Sequence, residues 1–280
     1  MAPNSLAEVR ESEASPAVAA VYAALREATG VPLVNLIWRH LATLDGALDW
    51  AWATVAPALR AGLVAGGRDR MAGALVLPAV PDVTLAQWQA AGLDAATLRT
   101  VRDIVAVYNR GNQTNLVMLT ALRRELEGAP LVPGEARAAP RGAPRGAPVG
   151  PPLATVPPLP RLAELAPEVQ ALAQDLAARR GTSPGVVPSL WLHLAHWPAL
   201  LAALPGWLGP MLQAEPLRDA RLAAMALAER EADALRPHFA PPGPAPQREP
   251  MLAALTTFTT VQIASMVPVG VALDRVLPKA

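Results

Sequence analysis

Apolar residues recur along this chain at spacings of three and four. In the first stretch they fall at Val18, Val21, Tyr22 and Leu25, and then, with His40 among them, at Leu36, Ile37 and Leu41. That period places them on one face of successive amphipathic helices. Pro16 opens the first of these helices and Gly30 closes it, which is the usual punctuation. Asp94, soon after Gly92, is placed to cap a helix that runs through Leu98, Val101, Val105 and Tyr108. Alternation of the strand type is sustained nowhere. The proline-bounded apolar patch at 76–81 comes nearest and reads as a loop. The pattern predicts an all-α protein.

The pattern also repeats itself at an offset of about 150 residues. Pro16, Val18, Val21, Leu25 and Gly30 return as Pro167, Val169, Leu172, Leu176 and Gly181. Trp38-Arg39-His40-Leu41-Ala42 returns 153 positions later as Trp191-Leu192-His193-Leu194-Ala195, and Pro57-Ala58-Leu59 as Pro210-Met211-Leu212. At the far end Ala121-Leu122-Arg123-Arg124 matches Ala272-Leu273-Asp274-Arg275 at an offset of 151. Four matches in one order exceed what alanine-rich composition supplies. The expected architecture is two degenerate helical repeats, residues 1–126 and 161–280, forming a pseudo-dimer.

Between them, residues 127–160 contain Pro130, Pro133, Pro140, Pro144, Pro148 and further prolines, with Arg-Gly-Ala-Pro twice, at Arg141 and Arg145. Such a segment cannot form a helix and is expected to run extended over the surface as a tether. A second loop is expected at 237–250.

Composition narrows the function classes. The chain has 280 residues, 52% of them apolar, which is ample for a buried core. Its 24 basic and 23 acidic residues are scattered and leave a net charge of +1, so nothing points to nucleic acid. Cysteine is absent, which removes disulfides, thiol nucleophiles and thiolate metal sites, and fits a cytoplasmic setting. Two stretches free of Asp, Glu, Lys and Arg, 182–214 and 251–273, are long enough to span a bilayer. The first is broken by Pro184, Pro188, Pro198, Pro205 and Pro210, and the second carries five hydroxyl residues, Gln262 and Pro268. Both read as buried helices of a soluble protein with no membrane partner.

Several sequences point further: Val31-Pro32-Leu33-Val34-Asn35-Leu36, Ala42-Thr43, Tyr108-Asn109-Arg110-Gly111-Asn112, Leu119-Thr120-Ala121-Leu122 and the Trp197-Pro198 step. With the duplicated helical pattern, they make the chain resemble the group I 2-haloacid dehalogenases over nearly its whole length. The resemblance implies a hydrolase acting on the carbon–halide bond of small 2-halo acids. No cofactor or metal is needed. An aspartate between the two lobes activates the water that attacks carbon with inversion. It also implies a homodimer.

Aligned on Trp197-Pro198, that aspartate falls at Leu190, preceded by Ser189. Leucine accepts no proton, and no acidic residue stands between Asp175 and Glu215, so a shift of register does not restore the base. The family's water-holding asparagine falls at Asn112, and a threonine and glutamate needed by some members fall at Ala61 and Ala65. By the same resemblance the substrate meets Leu33, Asn35, Leu36, Trp38, Asn115, Pro188, Ser189 and Leu190. Two readings follow: a divergent dehalogenase-like enzyme, or a non-catalytic protein that binds a small organic acid or a partner on the same scaffold.

Each candidate also has a plainer role. Asn112 follows Gly111 and reads as the N-cap of a new helix. Asn35 reads as a buried hydrogen-bonding residue, and Ser189, after Pro188, as a capping one. His193 is the candidate replacement base, because its ordinary pKa suits proton transfer near neutrality. With His196 it forms a spacing of three that lacks a third ligand, so both histidines read more simply as satisfied core groups. The tryptophans at 38, 50, 52, 191, 197 and 207 read as lobe-interface packing. Arg39 reads either as a carboxylate contact or as a solvated side chain.

Overall fold

The computed structural model describes residues 6–131, 150–179 and 187–278, so the two Arg-Gly-Ala-Pro sequences and Gly181 lie outside the described residues. The helices are α1 (Pro16–Thr29), α2 (Leu36–Leu41), α3 (Ala47–Arg60), α4 (Leu63–Ala74), α5 (Leu85–Ala90), α6 (Ala95–Glu127), α7 (Pro167–Arg179), α8 (Ser189–Leu194), α9 (Pro198–Leu208), α10 (Ala214–Leu235), α11 (Arg248–Thr257) and α12 (Ile263–Val276). A single π-helical turn, Phe258–Gln262, joins the last two. Among the described residues there is no strand, and the fold is all-α.

The helix ends follow local chemistry. Ser15 accepts the Val18 N–H at the start of α1, Pro16 takes the first helical position, and Gly30 ends the helix at φ 63°. That left-handed conformation strains any residue with a Cβ. Asp94 accepts the Thr97 N–H at 2.8 Å and opens α6. The segment at 76–81 is irregular, as its prolines dictate.

Helix α6 is the pillar of the molecule. Its 33 residues run for roughly 50 Å at the α-helical rise, and every residue from Gly111 to Leu122 is buried. It packs against α4, α10, α11 and α12. This continuity corrects the local reading of Asn112. A Gly-Asn pair is a helix breaker in isolation, but here burial on all sides holds the helix through it, and Asn112 lies in the interior. The apolar run at 251–273 behaves likewise. Within the helical stretch Arg248–Val276, long and apolar enough to cross a bilayer, 56% of the most apolar window is buried inside the fold.

Helices α1 to α6 precede the proline-rich segment, and α7 to α12 follow it. The two sets are tied by ion pairs. Arg124 on α6 grips Asp233 on α10 with two bonds, at 2.7 and 3.0 Å. Arg70 on α4 reaches the buried Glu231 on α10 at 2.6 Å. Paired, partly buried charges of this kind chiefly fix register, because desolvation offsets much of their attraction. Trp88 on α5 adds an apolar tie: its ring lies 4.4 Å from that of Trp207, and its indole N–H donates to the Val276 carbonyl at 3.1 Å.

Candidate functional site

A cavity of about 910 Å³ opens where these two sets of helices meet. Its walls come from five stretches: 6–12 ahead of α1, 31–40 leading into and along α2, 107–115 of α6, 187–190 at the start of α8, and 257–266 around the π turn, with Pro158 and Leu159 closing one side. The end of the proline-rich segment is therefore docked, and forms part of the wall. Arg110 fastens it by donating to the Pro151 carbonyl at 2.7 Å.

The α6 wall and the 257–266 wall answer each other position by position. Val107, Gly111, Asn112 and Asn115 face the cavity from one side, and Phe258, Gln262, Ile263 and Met266, each 151 residues later, from the other. At two of these pairs the first wall is polar and the second apolar, Asn112 against Ile263 and Asn115 against Met266, whereas Gln262 is the polar member of its pair with Gly111. On the polar side Asn35 caps α2 by accepting the Ile37 N–H, and its amide reaches Asn112 Oδ1 at 3.4 Å. Asn115 is held twice, donating to the Gly111 carbonyl and accepting the Trp38 indole N–H, both at 2.7 Å. The π turn widens the opposite helix at the cavity, and such turns often mark functional sites.

Tyr108 sits one turn before Asn112 on the same face of α6. Its hydroxyl is 2.6 Å from His193 Nδ1, and His193 Nε2 is 2.8 Å from the Pro157 carbonyl. A carbonyl only accepts, so Nε2 carries the proton. His193 is fully buried, and burial, with the nearby His196, holds its pKa below the ordinary value against the opposing pull of the Pro157 carbonyl. The ring is then neutral and Nδ1 bare, so the Tyr108 O–H must donate to it. Burial raises the Tyr108 pKa, opposed by the Arg39 charge and by a hydrogen bond from the Ser189 hydroxyl. The chain of bonds runs from Tyr108 through His193 to the Pro157 carbonyl.

Charge at the cavity mouth comes from the segment before α1. Glu8 lies 3.4 Å from Arg10 and 3.2 Å from Arg39. Glu11, the only acidic lining residue among the described residues, pairs with Arg26 and accepts the Val34 N–H at 3.0 Å. The segment is fixed by Tyr22, which donates to the Val9 carbonyl at 2.8 Å and whose own pKa burial pushes up to about 12. Among the described residues no three His, Asp or Glu side chains gather closely enough to hold a metal.

No family model matches the chain. Over 203 residues it is 28% identical to a configuration-inverting 2-haloacid dehalogenase of Alcaligenes xylosoxydans xylosoxydans, a match covering 71% of this chain and 67% of that protein. Its fold matches a D-2-haloacid dehalogenase mutant at a TM-score of 0.76 and 17% identity, over 99% of this chain and 98% of the other. A mutant of that enzyme in complex with D-2-CPA matches at 0.76, with 16% identity, and a complex with L-LA at 0.74, with 17% identity, both over the same shares of the two chains. In sequence and in fold the chain is similar to 2-haloacid dehalogenases.

Of the residues that the resemblance points to, Leu33, Asn35, Leu36, Asn112, Asn115, Pro188, Ser189 and Leu190 all line one cavity. Two candidates lie behind the wall. Trp38 is buried and reaches the cavity only through Asn115, and His193 reaches it only through Tyr108. Ser189 does not cap α8, whose N-cap is Pro188. Ala61 and Ala65 are not on the cavity wall. His196 donates from Nε2 to the Pro158 carbonyl at 3.1 Å and serves to hold the proline-rich segment.

The family resemblance did not single out Tyr108, Glu11 or Phe258. Tyr108 carried a usable signal: spacings of four and seven put it on one helical face with Asn112 and Asn115. Glu11 carried none, because its contact with the Val34 amide lies 23 residues along the chain, on the far side of α1.

Proposed function

We propose that this chain is a member of the 2-haloacid dehalogenase family that binds an organic acid in its inter-lobe cavity and has lost the carboxylate-assisted attack of water on a carbon–halogen bond. The observation that carries this reading is the cavity wall at the start of α8. There Leu190 lines the cavity, 1% exposed, at the position where the family resemblance places the aspartate. A water at that wall finds no carboxylate to take its proton. Glu11 offers little as a substitute, since Arg26 and the Val34 amide already occupy it. His193 is also a poor direct base, because both ring nitrogens are engaged and neither faces the cavity.

The same reading takes the two sets of helices as degenerate copies of one unit, with the cavity on their approximate twofold. The pairing of Val107, Gly111, Asn112 and Asn115 with Phe258, Gln262, Ile263 and Met266 supports it.

The decisive experiment incubates purified protein with racemic 2-chloropropionate and follows chloride. The expected result is no release above the uncatalysed rate at any enzyme concentration, together with a rise in melting temperature on adding organic acids. Chloride release proportional to enzyme would overturn the reading.

A further inference from the structure

Two stretches of irregular chain cover the cavity: 6–12 ahead of α1, and the end of the proline-rich segment at 157–160. Each is a single layer. Ala7 and Ser12 in the first, and Pro158 in the second, line the cavity and are also exposed to solvent. Where a wall is one residue thick, its attachments decide whether it stays shut.

The first cover is fastened along its length. The Val9 N–H donates to the Arg39 carbonyl at 2.9 Å, and the Val9 carbonyl accepts from Tyr22 at 2.8 Å. Glu8 pairs with Arg39, Glu11 with Arg26 and the Val34 N–H, and His40 meets the Ala7 carbonyl. The second cover carries no charge, and Pro157, Pro158 and Pro160 have no N–H to give. Among the described residues no backbone hydrogen bond joins 157–160 to the rest of the chain. Its polar ties are His193 Nε2 to the Pro157 carbonyl, at 2.8 Å, and His196 Nε2 to the Pro158 carbonyl, at 3.1 Å. His196 is exposed, so water competes for the second tie. On either side Val156 and Leu162 pack against the core. Between those anchors the prolines, with φ fixed, stiffen the piece so that it moves as a unit.

We propose that residues 157–160 are the gate of the inter-lobe cavity, swinging out between Val156 and Leu162 when their two histidine bonds break, while 6–12 stays in place. This goes beyond the binding reading above: it concerns the route into the cavity, whatever small molecule takes it.

The chain has no cysteine, so one introduced thiol reports alone. Met266→Cys places it on the α12 wall of the cavity, 5% exposed and on neither cover. Val107→Cys repeats the measurement from the facing wall on α6 and covers the case in which the first variant fails to fold. Leu119→Cys places the thiol in the core of α6, off the cavity wall, where global unfolding exposes it. Labelling of the full chain by N-ethylmaleimide is followed by intact mass under native conditions. Adding His196→Ala speeds labelling at the two cavity thiols roughly three- to tenfold, the equilibrium effect of one lost hydrogen bond, and leaves that of Leu119→Cys unchanged. Adding His40→Ala changes none of the three rates, since 6–12 keeps its backbone bond and ion pairs. Cavity labelling that His196→Ala leaves unchanged, that His40→Ala accelerates, or that rises no more than labelling at Leu119→Cys would overturn the gate. No organic acid enters the measurement, so the gate stands or falls apart from the binding reading.

Discussion

Helices α2 and α8 are built alike and have been put to different uses. Each is six residues long, and each carries a buried tryptophan and, two residues on, a histidine, at Trp38 and His40 in one and Trp191 and His193 in the other. Both histidines bind a backbone carbonyl of the segment leading into their own half: His40 Nδ1 is 2.8 Å from the Ala7 carbonyl, and His193 Nε2 is 2.8 Å from that of Pro157. The difference lies in what faces them. The Trp38 indole meets Asn115, whereas the buried Trp191 indole N–H has no partner among the described residues, and the position 151 residues after Asn115 is Met266. Across the cavity the walls therefore differ in polarity at two pairs, Asn115 against Met266 and Asn112 against Ile263.

The largest effect expected from breaking this asymmetry is at the tryptophans. Trp38→Phe removes the donor to Asn115 Oδ1 and strands a buried amide oxygen, which should cost about 2–3 kcal/mol once the lost packing is included. Trp191→Phe removes a donor that bonds nothing, so only packing is lost, about 1 kcal/mol. Urea unfolding of the two variants compares them directly. Equal costs would show that the Trp38–Asn115 bond adds nothing beyond shape.

The histidines come next. His193→Leu leaves both the Tyr108 hydroxyl and the Pro157 carbonyl without their partner, a loss of about 2 kcal/mol, while His40→Ala breaks one exposed bond and should cost under about 1 kcal/mol. His193 also predicts a pH effect. Its folded pKa lies below the ordinary value, so the unfolded chain binds the extra proton first. The stability associated with its neutral form is full above the unfolded pKa, about 6.5, and is lost as pH falls from there toward the folded value. The groups that face it are Tyr108, His196 and the Pro157 carbonyl. His193→Gln, which does not titrate, should flatten the stability profile below pH 6.5, as thermal melts across pH 5–8 would show. An unchanged acid limb would assign that limb to other groups.

Much of this architecture was legible in the sequence because it is local. Ser15, Pro16, Gly30 and Asp94 act within a turn of their own positions, and the three-and-four spacing of apolar residues needs no tertiary knowledge. The family resemblance also brought eight scattered residues to one cavity. The misreadings have the opposite cause. Gly111-Asn112 is a breaker by local chemistry, and α6 continues through it only because α10, α11 and α12 enclose that stretch. The position of His193 behind Tyr108 depends on a contact across 85 residues, and the docking of Pro157 and Pro158 on two histidines turns an expected tether into a wall. Proline content forecasts an extended chain but not the surface it lies on.

The smallest expected effect tests how differently the two helices begin. Asn35 caps α2 by accepting the Ile37 N–H at 3.3 Å, and its own amide meets Asn112, so Asn35→Ala should cost about 1 kcal/mol in urea unfolding. Helix α8 starts after Pro188 with no side-chain cap, because Ser189 sits one residue too late to supply it. Ser189→Ala should therefore change stability by under about 0.5 kcal/mol, the range of a substitution that removes no cap. A stability loss at Ser189 equal to that at Asn35 would mean the serine supports the helix after all. The first half then would not be alone in using its polar residue as a cap, and the second half's would not be free for the ligand.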